Sequence, residues 1–294
     1  MLEAELDRAA DATELLQQTV ELHQAELGAE HPSTLLAYTY LANLLEMSGE
    51  LDEAQQWYQQ SLRGYREALG DTHPMTKSAI SNLAHLLQSR GSLSDAEPLY
   101  EELCKGDTSP KTLSAMHTLG RVKEQLGKTD DAIRIYRSVL DGRRTTLGEQ
   151  HQQTLAVMAD SAQLHMNRQE YVAAIPLLRA IVSVRRRVLG NSHSVTLSSI
   201  VDLGRALEGA GDLDGAIQFF SEALVGRQQS LGKHDPSTVA SMSCLARILE
   251  DRGEYDEAIA LWTNVVEAKT DTLGSNHPST LQAAAALESC TVAQ

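Results

Sequence analysis

The residues with the most obvious chemical potential are histidines at a fixed interval. His31 and His73 lie 42 residues apart, and His277 falls in the same register once a loss of six residues is allowed. Recurring imidazoles could bind a metal. If each sits in its own pair of packed helices, however, neighbouring copies are about 8–10 Å apart, and bonds to one ion are only about 2 Å long. Gly127-Lys128-Thr129 resembles the end of a phosphate-binding loop, but the glycine that motif needs five residues earlier is Val122. No nucleophile elbow, zinc-protease helix or dinucleotide glycine pattern occurs. Cys104, Cys244 and Cys290 are odd in number and match no metal spacing, so they read as reduced, buried thiols of a cytoplasmic protein. Asp and Glu total 40 against 25 Lys and Arg, a net charge of −15. The carboxylates follow helix faces and form no specific acid–base pair. The expectation is a chain with no catalytic residue, no metal and no cofactor.

The elements that position these residues come from a repeat. Leu-Gly pairs occur at Leu27-Gly28, Leu69-Gly70, Leu147-Gly148, Leu189-Gly190, Leu231-Gly232 and Leu273-Gly274. Their intervals are 42, 78, 42, 42 and 42 residues. Seven residues past each leucine stands a threonine, from Thr34 to Thr280, and Thr112 supplies the copy inside the long interval. Fifteen residues later comes glycine at Gly49, Gly91, Gly127, Gly211 and Gly253, broken only by Gln169. Alanine follows at Ala54, Ala96, Ala132, Ala174, Ala216 and Ala258, and then a bulky residue at Tyr58, Tyr100, Tyr136, Leu178, Phe220 and Trp262. After each threonine, apolar residues recur with helical spacing, as in Leu35, Tyr38, Leu41, Ala42 and Leu45. This predicts a helix A, a glycine-capped turn, and a helix B whose alanine and aromatic pack against A. Pro at the first helical position puts His31, His73 and His277 at the N-cap, where Ser109 and Asp235 replace them. The six missing residues precede Pro110, around Gly106-Asp107-Thr108, and predict a B helix shorter by about one and a half turns.

These columns resemble the tetratricopeptide repeat. The 42-residue period, with Leu-Gly-x-x-His-Pro-x-Thr and an arginine-bearing end to helix B (Arg63, Arg143, Arg185, Arg227), is similar to the kinesin light chain subclass. The resemblance implies an all-α fold, a right-handed α-solenoid of antiparallel helix hairpins. Six complete hairpins would span 33–272, flanked by an unpaired helix over 10–26 and a final helix over 279–289, in a single solenoid over 1–294. Its half-hairpin ends suggest a piece of a larger protein. The light chain's heptad coiled coil has no counterpart here, so attachment to a motor is not implied.

In this family the A helices line a concave groove. Six residues past the threonine lie Asn82, Asp160 and Asp202, with Tyr40, Thr118 and Cys244 in the other copies. The family often has Asn there to hold an extended peptide, and only Asn82 matches. Nine residues past it lie Asn43, His85, Arg121, Gln163, Arg205 and Arg247. Twelve past it lie Glu46, Glu124, Glu208 and Glu250, with Gln88 and Met166. Arg121–Glu124, Arg205–Glu208 and Arg247–Glu250 read as (i, i+3) ion pairs. A solvated face accounts for this pattern, and so does a polar groove that recognises a protein or extended peptide. The second reading makes the chain a non-catalytic adaptor or scaffold. An alternative is a regulatory or self-associating solenoid, joined through its open ends or attached to an NTPase, protease or other signalling domain. The net charge argues against nucleic acid and anionic membranes. No apolar run approaches the roughly 20 residues of a spanning helix, and residues 1–10 contain no apolar targeting core.

Overall fold

The computed structural model describes residues 2–106 and 108–294, with side chains from residue 11 onward. Asp107, in the shortened connector, lies outside the described residues, as do the side chains of the 1–10 stretch read above for a targeting signal. Among the described residues the chain forms fourteen α-helices and no strand. The A helices are α2 (Pro32–Ser48), α4 (Pro74–Ser89), α6 (Pro110–Gln125), α8 (Gln152–Asn167), α10 (Ser194–Gly209), α12 (Pro236–Asp251) and α14 (Pro278–Ala293). The B helices are α1 (Leu2–Leu27), α3 (Leu51–Leu69), α5 (Leu93–Leu103), α7 (Thr129–Leu147), α9 (Tyr171–Leu189), α11 (Leu213–Leu231) and α13 (Tyr255–Leu273). The fold is an all-α solenoid of helix hairpins. It divides into two compact units, Met1–Thr146 and Leu147–Gln294. Within each, helices pack on their neighbours in sequence.

The caps follow from residue chemistry. Nδ1 of His31, His73, His151, His193 and His277 each accepts the backbone N–H two residues on, at 3.2 Å. A ring nitrogen that accepts in this way carries no proton, so the cap uses Nδ1 as the acceptor and leaves Nε2 to carry the ring hydrogen. Asp235 does the same at 2.8 Å, and Ser109 caps Thr112 N–H at 3.3 Å. The threonine column ties the connector to helix A. Thr34, Thr76 and Thr154 donate to the carbonyls of Gly28, Gly70 and Gly148 at 2.7–2.8 Å.

The core sits between A and B. Leu41, Ala42, Leu45, Ala54 and Tyr58 are buried in the first hairpin, and Ile200, Ala216 and Phe220 in the fifth. The small residue of helix A faces the aromatic of helix B. A Cβ on Gly204 would lie 2.8 Å from Phe220 Cε1, so nothing larger fits without movement. A second small column, missed in the sequence, lies on helix B. A Cβ on Gly64 would lie 2.2 Å from Leu35 Cδ2, and one on Gly226 would lie 2.6 Å from Leu197 Cδ2.

Helix α5 has 11 residues where α3, α7, α9, α11 and α13 have 19. The helix is eight residues shorter than the others, two more than the six deleted, and ends in a turn at Cys104. A charged cluster sits beside it. Lys123 Nζ lies 2.7 Å from both Glu97 Oε1 and Glu101 Oε1, and Lys128 Nζ lies 2.6 Å from Glu97 Oε2. Glu97 and Lys123 are both buried. Buried charges hold only when each is paired and hydrogen-bonded, as these are.

Candidate partner-binding site

The residues twelve past the threonine do not simply face solvent. The Tyr58 hydroxyl lies 2.8 Å from Glu46 Oε2, Tyr100 donates to Gln88 Oε1 at 2.8 Å, and Tyr136 donates to Glu124 Oε2 at 2.9 Å. The aromatic of helix B thus anchors the polar residue of helix A in the same hairpin. Burial, reinforced by the Glu46 hydrogen bond and charge, pushes the Tyr58 hydroxyl above the usual tyrosine range. Tyr58 also contacts the Asn43 amide. Both the Asn43 amide oxygen and the Glu46 carboxylate lie within reach of the one phenol proton.

Where helix B lacks a hydroxyl, the acceptor takes another partner. Phe220 offers none, and Glu208 receives both terminal nitrogens of Arg247, the Nη2 bond at 3.0 Å. This fork raises the Arg247 guanidinium above its ordinary value against the opposing effect of burial. Trp262 offers no hydroxyl either, and Glu250 meets the Cys290 thiol. Burial and that contact push the thiol up to about 11. In the fourth hairpin Leu178 offers no hydroxyl, and the twelfth-position residue is Met166, which needs no donor.

Two of the ion pairs expected within one helix are therefore replaced. Arg247 reaches Glu208 of the preceding A helix and not Glu250. Arg205 lies 4.0 Å from Asp202 and not on Glu208. His85 lies 3.6 Å from Glu46, repeating the reach of Arg247 in the first unit. Successive A helices lie side by side, so the ninth-position side chain of one meets the twelfth-position acceptor of the one before. In the third expected pair, Glu124 accepts from Tyr136 and Arg121 is exposed. Gln163 bonds Asn167 one turn along its own helix, at 2.8 Å. Asn82 and Asp160 are half-buried.

The arginine-bearing end of helix B contains a cationic column. Arg63 is exposed and does not belong to it. Arg227 is buried, and its Nη1 donates to Ser237 O and Ser241 Oγ at 2.8 Å each. Arg185 bonds Ser199 Oγ, and Lys269 reaches Ser279 O at 3.3 Å. Each reaches from a B helix to the next A helix. Desolvation holds the Arg227 guanidinium below its ordinary value. Its recurrence at the same offset from Ala174, Ala216 and Ala258 is the signal that could have found it.

Family models described as tetratricopeptide repeat match residues 1–67, 40–109 and 153–229, and a second such model matches 112–153 and 238–279. The chain belongs to the tetratricopeptide repeat family. No curated protein matches it. Among solved structures, the C-terminal part of a TPR repeat-containing protein from Cytophaga hutchinsonii is 14% identical, covering 95% of each chain with a TM-score of 0.67. BtubC (BKLC) from P. vanneervenii is 21% identical, covering 78% of this chain and 94% of that one, with a TM-score of 0.57. Kinesin light chain TPR-like repeats from Podosopora anserina match at 22% identity over 83% of this chain and 98% of that one, with a TM-score of 0.43. The tetratricopeptide repeat supports a protein-interaction module and is typically a non-catalytic scaffold. Among the described residues, no helix is long and apolar enough to cross a membrane.

Proposed function

We propose that the A helices within each unit of this tetratricopeptide repeat chain present a face that binds an extended segment of a partner protein, making the chain an adaptor or scaffold. The carrying observation is the division of labour among its polar columns. Of the twelfth-position residues, Glu46, Gln88 and Glu124 are held from below by tyrosines, Glu208 from the side by Arg247, and Glu250 by Cys290. The sixth- and ninth-position side chains at Tyr40, His85, Arg121, Asp202 and Arg205 stay exposed. Such a surface offers charge and hydrogen bonds on a rigid support, which suits an extended segment making many modest contacts. End-to-end association is less favoured by residue chemistry. Helix α14 carries Glu288 where the other A helices carry Ala or Gly, and Thr291 where α2 carries Leu45. A B helix docked there would meet a carboxylate.

The test is capture of binding segments by the chain, followed by titration of a captured peptide. Arg121→Glu and Arg205→Glu should each weaken binding about tenfold, or about 1.4 kcal/mol. Unchanged affinity in both variants removes the A-helix face as the site.

A further inference from the structure

The second unit contains a cationic cleft that neither the hairpin packing nor the A-helix face explains. It is an open cleft of about 470 Å³ beside α9 and α11. Arg179, Arg186 and Arg187 line it, over a floor that includes Phe219 and Leu203. The guanidinium carbons of Arg179 and Arg186 lie 5.8 and 6.0 Å from the Phe219 ring centroid, within cation–π range. The ring thus places two guanidiniums beside one apolar surface at the mouth of the cleft.

Arg186 has a structural task. It bonds both oxygens of Glu222, at 2.7 and 2.5 Å. The first unit repeats this bridge with Arg66 and Glu102 at the same offsets. Arg179 and Arg187 have no acidic partner within ion-pair distance among the described residues. The matching positions in α3 are Gln59 and Glu67, and in α11 they are Ser221 and Gln229. Among the B helices only α9 has arginine at all three positions. The bridge to Glu222 accounts for one of the three.

Three guanidiniums against one carboxylate leave a surplus of two positive charges on a chain of net charge −15. A phosphate monoester carries about −1.5 to −2 at neutral pH, with three strong acceptor oxygens. Forked guanidiniums fit those oxygens in bidentate fashion. The apolar floor favours a phosphoryl group attached to an organic body, and the overall negative charge disfavours a polyanion. We infer that this cleft is a second binding site, on the B-helix side, for an organic phosphate monoester.

Calorimetric titration of the whole chain at low salt tests this, with phenyl phosphate and inorganic phosphate as separate ligands. Phenyl phosphate should bind saturably and more tightly than inorganic phosphate. The double variant Arg179→Gln, Arg187→Gln should bind it at least about tenfold more weakly. Its melting temperature should not change, because the Arg186–Glu222 bridge remains. Arg66→Gln in the first unit should bind as the unaltered chain does. Absence of saturation, or undiminished binding by the double variant, overturns the site. Equal affinity for inorganic phosphate overturns the assignment to an organic ester. The A-helix face plays no part in this test, so the two proposals fail separately.

Discussion

Gln169 occupies the turn position that glycine fills in five other hairpins, and its φ is +59°. It is the one non-glycine residue with positive φ among the described residues. A left-handed backbone costs a residue with a Cβ about 1–2 kcal/mol, a cost glycine escapes. Gln169→Gly should therefore raise stability by about 1 kcal/mol in urea denaturation, with no change in fold. The Tyr58 hydroxyl makes the opposite case. Tyr58→Phe leaves Glu46 and Asn43 without their shared partner and should cost about 1–2 kcal/mol. The same change in the partner residue, Glu46→Ala, should be largely non-additive with it in a double-mutant cycle. The sequence showed the tyrosine as bulk for the core. Its hydroxyl role was hidden because the acceptor lies twelve residues earlier, on the other helix.

At the scale of the element, what was legible depended on how locally a residue's partner lies. The small residues at Gly120 and Gly204, the glycine turns and the N-caps serve their own hairpin, so periodicity exposes them. Arg247 illustrates the limit. Glu250 is three residues away on the same helix, and Glu208 is 39 residues away. The fold favours the distant one because adjacent A helices bring it within reach of a forked bond. The deletion alone gives a 13-residue α5, and the helix ends two residues sooner, at Leu103, where no capping residue type marks the stop. Two substitutions test the packing between elements. Gly64→Ala forces a Cβ against Leu35 and should destabilise by about 1–3 kcal/mol. Arg227→Ala removes bonds to Ser237 and Ser241 that join α11 to α12. It should cost about 1.5–3 kcal/mol, read as a lower urea midpoint.

At the scale of the whole molecule, the first unit should respond to acid through its buried charges. Hydrogen bonds from Lys123 and Lys128 hold the Glu97 carboxyl below its ordinary value of 4.5, against the effect of burial. A carboxyl depressed in the folded state adds stability above its ordinary value. That stability disappears as the pH falls through the lower folded value. Urea denaturation at pH 7 and pH 3 should show this loss in the unaltered chain and a smaller one in Glu97→Gln. The tyrosine–acceptor bond has a further consequence for how such a chain can be recombined. Tyr58 and Glu46, Tyr100 and Gln88, and Tyr136 and Glu124 each lie between successive helix-B ends. A crossover at a Leu-Gly pair hands on both members together, whereas one inside a hairpin separates them and strands a buried hydroxyl. The hairpin cut at Leu-Gly is thus the unit of inheritance as well as of packing. Arg247–Glu208 and the Arg227 contacts straddle those cuts, so transplanted cassettes would have to match at their seams.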